Sequence, residues 1–173
     1  MKLDEFCRTL NGKLAESKEP QETLELAALA LQQAFKVKAD EVAFMLLDIT
    51  SESIRFVWPK NLGSAGNIPL SSRGSLAAAT IRENKSQLHN RFSSKHHAAI
   101  FEQVNLSQQK GSSTTPLHPI QKIMSVPMTR DEAAIGAVQV CRKGSDGNSA
   151  GADFSQLELD ALGAISAVIA QHL

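Results

Sequence analysis

Two thiols, a group of imidazoles and a late basic–acidic pair are the side chains in this chain that could do chemistry. The 173 residues hold two cysteines, Cys7 and Cys141. Cys7 falls in a helical pattern and Cys141 in a strand pattern, and no disulfide framework or zinc knuckle has that spacing. Both read as reduced, mostly buried small hydrophobes. His89, His96, His97 and His118 sit close together in sequence. Four imidazoles raise the thought of a metal or haem site. Adjacent His96 and His97, however, point to different sides of any helix or strand, and no carboxylate stands at a repeating ligand spacing. Surface histidines are the expectation, with no metal and no cofactor. No Ser-His-Asp pattern or phosphate loop is present either.

Ser71-Ser72-Arg73-Gly74-Ser75 precedes a helical stretch and has two readings. Free N–H groups and the partial positive charge of a helix start, with Arg73 beside them, would hold an anion. The simpler reading is a cap by Ser72, with Gly74 easing a tight approach.

These groups need a scaffold, and the sequence supplies one. Leu3, Cys7, Leu10 and Leu14 form a seam on a short helix that Pro20 ends. Leu24, Ala27, Ala28, Leu31 and Phe35 make the apolar stripe of a second helix. The period then changes. Val42–Leu47 is continuously apolar, a central strand covered on both faces. Ile54–Trp58 pairs beside it through a turn at Asp48–Ser53. Leu76–Asn84 is a third helix, and Ser86–His89 a short strand. Asn90–Pro119 is irregular, with a helix expected over Ser94–Val104 and a loop over Gln108–Pro116. Ile123–Met128 and Ile135–Cys141 flank a polar turn that lacks the usual glycine. Gly144–Gly151 reads as a flexible linker, and Phe154–Leu173 as a final helix. Two hairpins and one crossing connection favour an α+β fold with a mixed or antiparallel sheet.

Composition narrows the function. Net charge is +0, from 18 basic and 18 acidic residues, and Tyr is absent. Without a basic patch or aromatic platforms, nucleic acid is not an expected partner. No apolar run approaches the roughly 20 residues of a membrane span. Acidic residues stand at positions 4 and 5, where a signal peptide would be basic and then apolar, so no membrane and a cytoplasmic location are expected.

In this order, three stretches resemble the GAF domain. They are Ile68–Gly74 with the helix after it and Gln87-Leu-His-Asn90, then Lys122–Met128 with its Ser-x-Pro core, and Ile135–Lys143 followed by Phe154 and a long helix. The resemblance covers nearly the whole chain and implies one domain over 1–173. Its sheet would be five- or six-stranded and antiparallel, with the terminal helices (1–18 and 152–173) on one face. A pocket would lie on the other, roofed by Asn90–Pro119. The candidate lining is Phe44, Ser72, Arg73, Ser75, His89, Asn90, His97, Phe101, Met124 and Ser125, for an unidentified small molecule. Some cyclic-nucleotide-binding relatives carry Asn-Lys, then Phe, then Asp-Glu. Lys143, Phe154 and Glu158 match that pattern, and Arg142 and Leu159 do not, so Lys143–Glu158 is expected as a structural ion pair. Reductases of the free methionine-R-sulfoxide type share the fold that the resemblance implies but depend on several pocket cysteines, and bilin-binding relatives need a cysteine in the roof. A non-enzymatic sensor is therefore the expectation, with a ligand-free interaction module and a redox enzyme as alternatives.

The final helix has two apolar stripes: Leu157, Ala161, Ala164, Ile165 and Val168, and Leu159, Leu162, Ile169 and Leu173. One would cover the sheet. The second, with Leu3, Leu10 and Leu14, is the expected homodimer interface, with Leu159, Leu162 and Ile169 as its centre. A partner protein or output domain would read the shift of that bundle.

Overall fold

The computed structural model describes residues 2–64, 66–92 and 118–173. Two helices open the chain: α1 (Leu3–Glu16) and α2 (Pro20–Phe35), the second with proline in its first turn and left-handed Lys36 at its end. Strands β1 (Val42–Asp48), β2 (Ser53–Trp58) and β3 (Ile68–Pro69) follow, then α3 (Leu76–Glu83) and β4 (Gln87–His89). The long strands β5 (Ile120–Arg130) and β6 (Ala133–Lys143) precede α4 (Gln156–Ala170). The six strands form one antiparallel sheet in the order β3-β2-β1-β6-β5-β4. That is the α+β sheet expected from sequence.

Strand alternation divides the core in two. Val42 and Phe44 of β1, Met124, Val126 and Met128 of β5, and Val138 and Val140 of β6 pack under α1, α2 and α4. Ala43, Met45, Ile123, Ala137 and Cys141 face the other way, toward α3, Leu62 and Phe92. Because successive side chains leave opposite faces, an all-apolar strand serves both layers at once.

The β5–β6 hairpin is longer than its sequence pattern suggests. Arg130 pairs with Ala133, leaving a two-residue loop, Asp131-Glu132, in which both residues have positive φ (50° and 65°). This is the mirror-image turn that matches strand twist, built here without glycine. Past the turn, Ile135 is an extra residue, since Thr129 faces Ala134 and Met128 faces Gly136. Gly136 then passes so close to β1 that a Cβ there would lie 2.1 Å from the Met45 carbonyl oxygen.

Three expectations need correction. α3 is capped by Ser75, whose Oγ accepts from Ala78 N at 3.2 Å, and not by Ser72. Gly144–Gly151 is a structured turn, with Asp146 Oδ1 accepting from Asn148 N and Ser149 N. The stripes of α4 are also the other way round. Leu159, Leu162 and Ile169 are 5%, 0% and 0% exposed and lie against the sheet, where Ser166 Oγ donates to Pro127 O. Leu10 and Leu14 are equally buried in the same cluster, and Leu3 packs at its margin. Leu10, Leu14, Leu159, Leu162 and Ile169 have already left water inside one chain, so they have no apolar surface left to give a partner, while Leu3 keeps part of its surface exposed. The outward stripe runs through Leu157, 80% exposed, to the partly exposed Ala161, Ala164 and Val168.

Two substitutions test this assignment by chemical denaturation. Leu162→Ala should cost about 2–5 kcal/mol. Gly136→Ala should exceed the usual overpacking cost of about 1–3 kcal/mol, because a backbone carbonyl cannot move aside.

Candidate functional site

The α3-covered face of the sheet is apolar except along one line. Register places Gln139 of β6 and Gln87 of β4 on either side of Ser125 of β5. In the next row, Cys141 and His89 flank Ile123. Thr80 reaches down from α3 to Ser125, with hydroxyl oxygens 2.7 Å apart, and Gln139 Nε2 donates to Ser125 Oγ at 3.3 Å. Thr80 and Ser125 are 0% exposed and Gln139 is 6% exposed.

Proton counting shows what this cluster leaves over. Two hydroxyls carry two protons, and one is used between them. The other hydroxyl proton and the Gln139 Oε1 acceptor have no partner among the described residues. Gln139 Oε1 is not fully buried: among the described residues the fully buried side-chain nitrogen or oxygen without a partner is Trp58 Nε1. The buried charged groups are occupied elsewhere. Glu41 accepts from the backbone N–H groups of Lys38 and Lys143 at the sheet end. Lys122 donates to Gly151 O and Asp153 Oδ1 beside the start of α4. What this face offers is a hydroxyl pair, a carboxamide and the half-buried His89, whose ring lies 6.2 Å from that of Phe92.

The sequence reading found part of this. Ser125 and His89 lie on the face. Phe44 and Met124 lie on the opposite one, packed under the helices, because each is one residue out of phase with the inward set. Arg73 is exposed, and Ser75 is spent as the α3 cap. Ser72 gives its carbonyl to Arg82 Nη1 at 3.4 Å. Asn90 is a clip: its Nδ2 donates to Phe154 O and its Oδ1 accepts from Phe154 N, both at 2.8 Å. His96, His97 and Phe101, and the helix and loop expected over 94–104 and 108–116, lie outside the described residues. His118 is exposed. Gln139, Gln87 and Thr80 were missed. Their signal was a single polar residue at an inward position of an otherwise apolar strand or helix face.

The Lys143–Glu158 pair is replaced by two others. Adjacent strand residues leave opposite faces. Arg142 therefore turns toward α4, meets Glu158 at 3.4 Å and stacks on Phe154, 4.1 Å from its ring centre. Lys143 turns the other way, to Asp40 at 3.1 Å. Glu158 completes the α4 capping box with Ser155.

The thiols are also divided by the sheet. Cys141 belongs to the α3-side cluster, and Cys7 packs at the edge of the helix-side one, where burial and then Asp4 raise its pKa. A disulfide needs Cα atoms within about 4.4–6.8 Å, which a pair split by a sheet layer does not offer.

No protein-family model and no curated protein sequence matches the chain. Solved structures match its fold. The GAF domain of a phosphoenolpyruvate-protein phosphotransferase from Acinetobacter has a TM-score of 0.69 at 15% identity, over 97% of this chain and 90% of that one. Its counterpart from Coxiella burnetii has 0.69 at 9% identity, over 98% and 91%. A free methionine-R-sulfoxide reductase from Neisseria meningitidis, in complex with its substrate, has 0.64 at 14% identity, over 98% and 87%.

Two tests follow from the clips around this face. Asn90→Ala should destabilise the chain by about 1–3 kcal/mol in urea, since it strands the Phe154 N–H and C=O. The hydrogen bond from Lys122 holds the Asp153 carboxyl below its ordinary pKa. A lowered carboxyl pKa stabilises the fold above the unfolded value, and the effect is lost as pH falls through the folded one. The stability gap between the native chain and Asp153→Asn should therefore be full at neutral pH and close under acid.

Proposed function

Starting from a GAF-type fold, we propose that this chain is a non-catalytic regulatory domain that binds a small, neutral, hydrogen-bonding molecule on the α3-covered face and signals through its terminal helices. The observation that carries this reading is the buried Thr80–Ser125–Gln139 cluster with its unspent donor and acceptor. A purely structural tie between α3 and β5 needs only the two hydroxyls. The added carboxamide, 6% exposed and half used, suits a ligand edge that supplies both a donor and an acceptor. Chain connectivity fits as well. The segment between β4 and β5 leaves from Phe92 and returns to Ile120, both packed in the same layer.

Arg142 and Asn90 join β6 and the exit of β4 to the start of α4, so a change on the sheet has a physical route to that helix. Its outward stripe, Leu157, Ala161, Ala164 and Val168, is the surface we assign to a second copy of the chain. Spacing of four, three and four suits helix-on-helix packing, and two-fold pairing is the commonest assembly. An output protein or domain would read the resulting shift.

The alternative is a redox enzyme, favoured by the thiol of Cys141 on the candidate face. Against it stand a sequence with two cysteines in all and the separation of Cys7 from Cys141 by the sheet.

Native mass spectrometry of the purified chain should show a dimer that retains a small molecule. Gln139→Leu should abolish the ligand-induced rise in Tm while leaving the fold intact, because the Thr80–Ser125 hydroxyl pair that ties α3 to β5 remains. Loss of basal stability instead would mark Gln139 as structural. Leu157→Asp should give a folded monomer, and Cys141→Ser should leave the ligand response intact; a response lost in Cys141→Ser would favour the redox reading.

A further inference from the structure

Where the helix layer stops, the sheet carries a second opening. α4 ends at Ala170, and beside its end a cleft of about 520 Å³ lies over the β1–β2 and β5–β6 hairpin ends. It belongs to the helix-covered side: Leu46, Ile135 and Leu173 line it and pack against the helix-side core. It is separated by the sheet from the Thr80–Ser125–Gln139 cluster and does not rest on the reading given to that cluster.

Its rim is cationic and mostly unspent. Arg55 makes no hydrogen bond or ion pair among the described residues; it acts on Asp48 only through its charge. Arg130 uses Nε on the Ala170 carbonyl at 3.3 Å, and its terminal amino groups make no hydrogen bond or ion pair among the described residues. Asp48, the one carboxylate side chain in the lining, has Oδ1 turned back to Thr50 N and Ser51 N at 2.9 and 3.3 Å. Two guanidiniums therefore line the cleft with a single acidic side chain, which is folded into its own turn. Ile49, at 78% exposed, extends the apolar surface to the edge of the cleft.

The geometry points to a second binding site here, for an aliphatic monocarboxylate. A guanidinium takes a carboxylate through two parallel N–H bonds, and lysine could not reproduce that fork. The Leu46–Ile135–Leu173 floor accepts an alkyl chain, and the volume lies within the range of small-molecule sites. A carboxylate on Arg130 shares its guanidinium with the last turn of α4. The site therefore reports to the same helix as the α3-side face, from its other end.

The test titrates octanoate into the isotopically labelled full chain and follows backbone amide shifts. Octylammonium and acetate serve as controls for charge and for chain length. Octanoate should move the amides of Leu46, Ile49, Arg55 and Leu173, and bind about tenfold more tightly than either control. Arg55→Gln is the clean variant, because that guanidinium has no hydrogen bond or ion pair to lose among the described residues, and it should weaken octanoate by about fivefold or more. The proposal is overturned if octylammonium binds as well as octanoate, if Arg55→Gln binds octanoate unchanged, or if octanoate moves no amide of the cleft. Shifts confined to the α3-covered face would overturn it too, while leaving the first site in place.

Discussion

Two-sided burial of the β1–β6–β5 wall is the constraint on which this structure depends. Each strand gives alternate residues to two separate cores, so neither core can change without touching the other. Gly136 shows how tight the wall is: the backbones of β6 and β1 meet there with no room for a methyl group. Interiors packed to this density pass displacement on rather than absorb it. A sheet of this kind isolates the chemistry of one face from the other while joining them mechanically.

The two faces hold different chemistry for that reason. The helix side is filled mainly by Leu, Val, Ile, Phe and Met, and the hydroxyl of Ser166 is tied to a strand carbonyl. The α3 side uses smaller residues, Ala43, Ala77, Ala78 and Ala137, and sets a neutral polar line among them. Small side chains under a short helix leave the polar line as the most specific feature of that layer. Its unused donor and acceptor are the groups a well-matched ligand edge would engage.

Connections around α4 link the parts. Asn90 imitates a strand partner for Phe154, Arg142 bonds Glu158 and stacks on Phe154, and Arg130 holds the carbonyl of Ala170 at the far end. Both ends of the helix are thus held by residues whose strands or strand ends also belong to the sheet. Its middle is fixed by packing, and its outer stripe is left to solvent or to a partner. That arrangement makes α4 the element best placed to carry a change from either face outward.

Much of the fold was legible in the sequence because it rests on periodicity. The 3.6-residue stripes of α1, α2 and α4 and the apolar run of β1 each follow from local spacing, and the family resemblance arranged them into one sheet. What spacing could not decide was phase. Whether Phe44 or Met45 faces the candidate site depends on which neighbour covers which face. The same holds for Lys143 or Arg142 meeting Glu158, and for which stripe of α4 turns inward. Those are differences of one residue in a strand or about 100° on a helix, and both choices are equally apolar or equally basic in sequence. Only the tertiary structure settled them, because burial is a property of what packs opposite a side chain and not of the side chain itself.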